Sequence, residues 1–255
     1  MRSLARGQLP FKHWRTAPVD RLYGIETSSY VRIGKLATGD AKIDTNNVGY
    51  VGSQPSIVRA ALDHIPDLGE KTFVDLGCGK GRTLAVASEY PFRRIVGIEI
   101  APVLLRIARS NAGIIRANFP GRASIEVIEA DATDIASYGA ENLVLFLYNS
   151  FRGALIDRLI ASIDQWLAKN RSQSLFLIYY NPVHFARFDR APALERFYAE
   201  CVSFHPDERL VQPFDNDFDS LVIYRAKGRD TSPQRAGHDR RVSVTIPDLG
   251  AAVEN

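Results

Sequence analysis

The sequence predicts an α/β fold: a seven-stranded, mostly parallel sheet with helices on both faces, an irregular N-terminal segment that acts as a lid, and a flexible C-terminal tail. Three observations predict it. Short apolar runs of strand type alternate with helical patterns from about Lys71 to Lys227, which is how a parallel sheet is written in sequence. One run, Leu143-Val-Leu-Phe-Leu-Tyr148, is apolar at every position, as a strand covered on both faces must be. Between the first strand and the helix after it stands a turn rich in glycine, Gly77-Cys-Gly-Lys-Gly81, at the sheet edge where open α/β folds take their ligands.

The elements follow in order. Residues 1–66 form the lead-in, with Gly34, Gly39, Asn46, Asn47, Gly49 and Gly52. A helical pattern emerges only at its end, where Pro55 occupies the first turn and Ile57, Val58, Ala61, Leu62 and Ile65 recur at helical spacing. Thr72–Leu76 is the first strand, Arg82–Tyr90 a helix of small residues, and Arg94–Ile100 the second strand. Val103–Phe119 is a helix weakened by Gly113, and Ser124–Ala130 alternates with period two as the third strand. After the fourth strand come an amphipathic helix over Leu155–Leu167, a fifth strand over Ser174–Tyr180, and two weaker strands near Cys201–Phe204 and Leu221–Tyr224. The domain is thus expected over 67–227. Residues 228–255 are polar and read as a disordered tail, since Val242–Ile246 alone buries too little surface to hold a strand.

Composition narrows the function. Of 255 residues, 45% are apolar and 24% charged, a soluble globular balance. The longest wholly apolar runs, Leu143–Tyr148 and Leu175–Tyr180, fall far short of the roughly 20 residues that span a bilayer. A net charge of +3 makes no demand for a polyanion. Two cysteines, Cys78 and Cys201, supply neither a disulfide framework nor a metal cluster and suit a reducing compartment, so the expectation is a cytoplasmic protein without metal. Asp215-Asn-Asp-Phe-Asp219 alternates acids, but Ser220 and Ala226 stand where a calcium loop needs glycine and glutamate.

The glycine turn carries the functional argument. A dinucleotide fingerprint wants G-x-G-x-x-G, whereas this loop reads G-x-G-x-G and is followed by Arg82 and Thr83. Asp75, two residues before the first glycine, places a carboxylate in the ligand crevice. It would repel a pyrophosphate and attract an ammonium group, so the ligand is expected to be cationic at one end and nucleoside-like at the other.

With its neighbours, this loop resembles that of the class I S-adenosylmethionine-dependent methyltransferases, over roughly Lys71 to Tyr180. Their fold is Rossmann-like, and the resemblance implies S-adenosylmethionine as cofactor, held by Asp75, Gly77, Cys78, Gly79 and Gly81. It also implies that Glu99, beside Ile100, grips both ribose hydroxyls, as a carboxylate offering only acceptors can. Asp131, beside Ala132, matches the position that contacts the adenine amino group, and Tyr148-Asn-Ser-Phe151 stands where the family keeps its substrate-facing motif. Asn149 would orient the acceptor and also touch the cofactor, and Phe151 would stack on a planar target or face the sulfonium. This quartet resembles the Asn-Pro-Pro-aromatic motif of amino-group methyltransferases, but Ser150 replaces proline and the motif is one residue shorter. A polar strand end capping the next helix is its structural reading.

Beyond that motif, His184 in the loop after the fifth strand is a candidate base near neutral pH. Tyr50, Ser53 and Gln54, before the first well-patterned helix, are candidates to close over the methionine end. The expected activity is methyl transfer to an unidentified acceptor, with protein and small molecules ahead of RNA and no membrane partner. A nicotinamide-dependent oxidoreductase and a non-catalytic nucleoside-binding scaffold are the alternatives.

Overall fold

The computed structural model describes residues 16–29, 31, 49–138, 141–148, 151, 153–211 and 217–230. Seven strands form one sheet: β1 (Thr72–Leu76), β2 (Arg94–Glu99), β3 (Ile125–Glu129), β4 (Leu143–Tyr148), β5 (Leu175–Tyr180), β6 (Leu194–Ser203) and β7 (Phe218–Ala226). Their order is β3-β2-β1-β4-β5-β7-β6, with all neighbours parallel except β7, which runs antiparallel between β5 and β6. The chain starts at β1, winds outward to β3, then returns to β4 on the other side of β1. The reversal lies between β1 and β4, and a ligand crevice opens above such a switch point.

The two faces follow from strand periodicity. Phe73, Val144, Phe146, Phe176, Ile178 and Tyr180 point to one side. There they pack under α2 (Pro55–Leu62), α3 (Arg82–Ala87) and α4 (Pro102–Asn118). Val74, Leu76, Leu143, Leu145, Leu147, Leu175 and Leu177 point to the other side, under α5 (Ala154–Lys169). Central strands buried on both faces show no apolar–polar alternation, which is why β4 reads as a continuous apolar run. β3, an edge strand, has exposed Glu126 and Glu129 with Val127 and Ile128 both half-buried between them, so the period-two alternation expected from its sequence does not carry through in its burial.

Several elements differ from the sequence expectation. A short helix, α1 (Pro18–Tyr23), lies within the expected irregular lead-in; six residues are too few for a periodic signal, though Pro18 at its first position and left-handed Gly24 at its end are start and stop marks. β6 runs ten residues, from Leu194, with a register shift between Arg196 and Tyr198 that disrupts its alternation. The last helices, α6 (Phe185–Asp189) and α7 (Pro206–Arg209), are single turns. The start of the expected tail is anchored: Arg229 donates to the main-chain carbonyls of Leu167, Asn170 (2.5 Å) and Gln173 (3.2 Å) around the C-terminal end of α5. The strand considered at 242–246 and the acid at 215 lie outside the described residues. Among the described residues no helix is long and apolar enough to cross a membrane, and no three His, Cys, Asp or Glu side chains cluster as metal ligands.

Candidate active site

A cleft with about 950 Å³ of empty space, partly open to solvent, runs across the C-terminal ends of β1–β4. Asp75 lines it from β1, Gly77, Cys78 and Gly79 from the loop that follows, Glu99 and Ile100 from the end of β2, and Asp131 and Ala132 from beyond β3. Tyr148 and Phe151 close it on the β4 side. The three acids therefore lie along one groove in the order of the strands that carry them.

The loop is shaped by its backbone. Gly77, Gly79 and Gly81 have φ of 81°, 57° and 84°, a region that L side chains seldom enter. Gly79 needs glycine twice over, because a Cβ there would overlap the ring of Tyr50. The loop amides point inward. Those of Gly77 and Cys78 donate to the Ile98 carbonyl at 3.0 and 2.8 Å, and that of Gly79 donates to Glu99 Oε2 at 2.9 Å. Gly81 is the N-cap of α3, behind the loop, and does not line the cleft.

Glu99 also accepts from the amides of Ile100 (2.8 Å) and Ala101 (2.7 Å) through Oε1. Burial raises its pKa in spite of these three donors. Asp75 is fully buried and close to Glu99, and burial first, then the Glu99 charge, push its pKa up to about 8 against a hydrogen bond from Thr83. Its carboxyl therefore holds a proton at neutral pH in the bare cleft. Asp131 lies at the more open end. Burial acts to raise its pKa but is outweighed by the Thr133 amide (2.9 Å), the Thr133 hydroxyl (2.7 Å) and Arg158 (2.7 Å), so the net shift is downward and the group is a carboxylate. The Cys78 thiol is pushed well above its usual range by burial and by Asp75 and Glu99, and stays protonated.

Another part of the wall comes from the lead-in: Gly49, Tyr50, Val51, Gly52 and Ser53. It is clasped to the glycine loop by polar contacts spread across the sequence. Arg82 donates from Nε to Thr27 Oγ1 (2.7 Å) and from Nη2 to the Thr27 carbonyl (2.9 Å), and Tyr50 donates its hydroxyl to the same carbonyl (2.8 Å). Thr27 is held in turn by buried Asp20, which accepts its amide at 2.7 Å and its hydroxyl. Lys80 reaches Glu26 at 2.7 Å. Among the described residues lining the cleft, Arg82 is the one cation.

Sequence reasoning missed Arg82, Thr83, Leu104, Phe146 and Leu155 as lining residues, as well as the Asp20–Thr27 support beneath them. Arg82 and Thr83, immediately after the glycines, were the legible signal; the others depend on packing. Besides Gly81, two expected site residues lie elsewhere. Gln54 is the buried N-cap residue of α2, not a lining residue. His184 does not reach the cleft either. Asn181 adopts φ 45° at the end of β5, the chain turns there, and His184 becomes the N-cap residue of α6, with its amide donating to Tyr179 Oη at 3.2 Å. Asn149 lies outside the described residues.

Residues 74–167, from β1 through α5, match the family model described as a methyltransferase domain. Over that stretch the chain is similar to a methyltransferase domain. No curated protein matches the chain in sequence. Among solved structures it is similar in fold to an rRNA methylase from Streptococcus thermophilus, with 14% identity over 69% of this chain and 99% of that chain and a TM-score of 0.43. It is likewise similar to TrmN from Thermus thermophilus, with 13% identity over 76% of this chain and 52% of that chain and a TM-score of 0.47. The family match brackets the acid-lined half of the cleft; the Tyr50 wall and the β5–β7 edge lie outside it.

Proposed function

We propose that the cleft binds S-adenosylmethionine and that the protein transfers its methyl group to a protein or small-molecule acceptor. The observation that carries this is the ordered line of Asp131, Glu99 and Asp75 above β3, β2 and β1. Such a donor set fits this cofactor. Asp131, an ionised acceptor, suits the adenine amino group. Glu99 has about four lone-pair sites and gives three to backbone amides, which leaves an acceptor for the ribose. Asp75, protonated in the bare cleft, becomes a carboxylate when an ammonium arrives beside it. Ala132, Phe151 and Leu155, which share one apolar cluster and line the cleft, offer the base an apolar surface.

When bound, the cofactor supplies a methyl carbon activated by positive sulfur; the protein's task is to hold the acceptor in line with it. A dinucleotide fits the cleft less well, because the Gly77, Cys78 and Gly79 amides already serve Ile98 and Glu99 instead of facing a pyrophosphate. We assign catalysis to residues 67–227, with the segment before them as a lid over the methionine end, as the position of Gly49–Ser53 on the cleft wall supports. Residues 228–255 are assigned no part in the site. Asn149 keeps its proposed role toward the acceptor, and two free thiols favour the cytoplasm.

Calorimetric titration with S-adenosylhomocysteine tests the reading. Glu99→Ala should weaken binding at least about tenfold, since a hydrogen bond to a charged group is worth roughly 1.5–3 kcal/mol. Binding that is absent in the intact protein, or indifferent to Glu99→Ala, would refute it. Affinity without transfer of a tritiated methyl group into any fraction of cell extract would point instead to a nucleoside-binding scaffold.

A further inference from the structure

The one cation of the cleft has no carboxylate partner among the described residues. Arg82, the first residue of α3, is 5% exposed and lines the cleft. None of the ion pairs among the described residues includes it. Its acceptors are uncharged: Thr27 Oγ1 takes Nε–H at 2.7 Å, the Thr27 carbonyl takes a hydrogen of Nη2 at 2.9 Å, and the Ser53 carbonyl takes one of Nη1 at 3.4 Å. Asp20 stands one hydrogen bond further back, behind the Thr27 hydroxyl. Charge taken this far out of water is costly unless an opposite charge meets it.

The guanidinium still has donors to give. It carries five N–H groups, so one on Nη1 and one on Nη2 are left. These are the two terminal nitrogens of a planar fork that matches the two oxygens of a carboxylate. The lead-in wall leaves that fork its place. Gly52 also lines the cleft, and a Cβ there would lie 2.4 Å from Arg82 Cζ and 2.5 Å from Nη1.

The neighbouring acids narrow the choice of anion. Asp75 and Glu99 line the same cleft, and a phosphate dianion would face both. A carboxylate brings a single charge, and in an α-amino acid it shares its carbon neighbour with an ammonium. Asp75 and Arg82 are suited to that pair. Asp75 lies one residue before the end of β1 and Arg82 at the start of α3; the turn through Gly77, Gly79 and Gly81 folds the chain back so that both line one cleft.

We propose that Arg82 takes the carboxylate of the ligand's amino-acid end while Asp75 takes its ammonium, and that Arg82 thereby makes the cleft selective for the intact methyl donor over its decarboxylated, propylamine form. This deepens the cofactor reading above and rests on it. Asp75 alone cannot draw the distinction, because both forms carry the ammonium. Arg82 meets the carboxylate with the hydrogens it does not spend on Thr27 and Ser53, so one side chain ties the lead-in wall to the ligand.

Isothermal titration with S-adenosylhomocysteine and with its decarboxylated counterpart, which keeps the nucleoside, the sulfur and the ammonium, isolates the carboxylate. In the intact protein S-adenosylhomocysteine should bind about tenfold or more tightly than the decarboxylated compound, the worth of a hydrogen bond to a charged partner. Arg82→Gln should remove most of that preference. The substitution also unties the lead-in wall, which weakens both compounds alike, so the ratio of their affinities is the reading. Gly52→Ala pushes the guanidinium aside without removing its charge and should lower the ratio severalfold; it decides if Arg82→Gln does not fold. Equal affinities in the unaltered protein, or a ratio that Arg82→Gln leaves unchanged, would make Arg82 a purely structural tie and overturn the proposal. If neither compound binds the unaltered protein, the cofactor reading itself has failed.

Discussion

Asp75 makes ligand binding by this cleft a proton-coupled event. Its carboxyl is buried beneath the glycine loop, beside Glu99, with a pKa near 8. A cationic ligand needs the carboxylate, so below pH 8 binding must first expel a proton. Each pH unit below the pKa then costs about tenfold in affinity, or about 1.4 kcal/mol. Between pH 8, where half the groups are already ionised, and pH 6 the dissociation constant of S-adenosylhomocysteine should rise by roughly fiftyfold. Burial raises the Glu99 pKa as well, so its titration acts in the same direction. The assay is isothermal titration at pH 6, 7 and 8 and constant ionic strength, repeated in two buffers of different ionisation enthalpy. About one proton should be released per ligand near pH 6.5. Asp75→Asn should bind more weakly at pH 8 and with a flatter pH dependence. An affinity that is level from pH 6 to pH 8 in the unaltered protein would refute the reasoning, as would an equal slope in Asp75→Asn.

The same carboxyl affects stability, with the sign reversed from the usual acidic group. Its folded pKa lies above the unfolded value of 3.8, so its contribution is fully present below about pH 4 and is lost as pH rises toward 8. Asp75→Asn should therefore raise the melting temperature by several degrees at pH 9 and change it little at pH 4, as differential scanning calorimetry would show. Gly97, in the middle of β2, has no room for a methyl group: a Cβ there would lie 2.5 Å from Leu84 Cδ1 and 2.8 Å from Cys78 Sγ. Overpacking of this kind costs about 1–3 kcal/mol. Gly97→Ala should lower the melting temperature and, by pushing Cys78, weaken S-adenosylhomocysteine binding; a variant unchanged in both would show that the loop yields freely.

Strand and helix periodicities, the glycine spacing and the acids at strand ends were legible in the sequence because each is a local property of consecutive residues. They determined a mostly parallel sheet, the turn at Gly77–Gly81 and the candidate acids Asp75, Glu99 and Asp131, which the structure brings into one cleft. Tertiary structure decided the rest. Sheet order alone set Tyr148, Tyr180 and Asp219 side by side, from three strands up to 71 residues apart in sequence. His184 left the cleft because one left-handed residue, Asn181, redirected the chain, a choice made by backbone packing at the end of β5. Residues as distant as Asp20 and Arg82 came to share Thr27, since polar groups taken from water must find partners wherever the fold brings them. And the charge of Asp75 is not written in its side chain: the dielectric around it, which exists only once the sheet has closed over it, sets whether that carboxyl carries a proton.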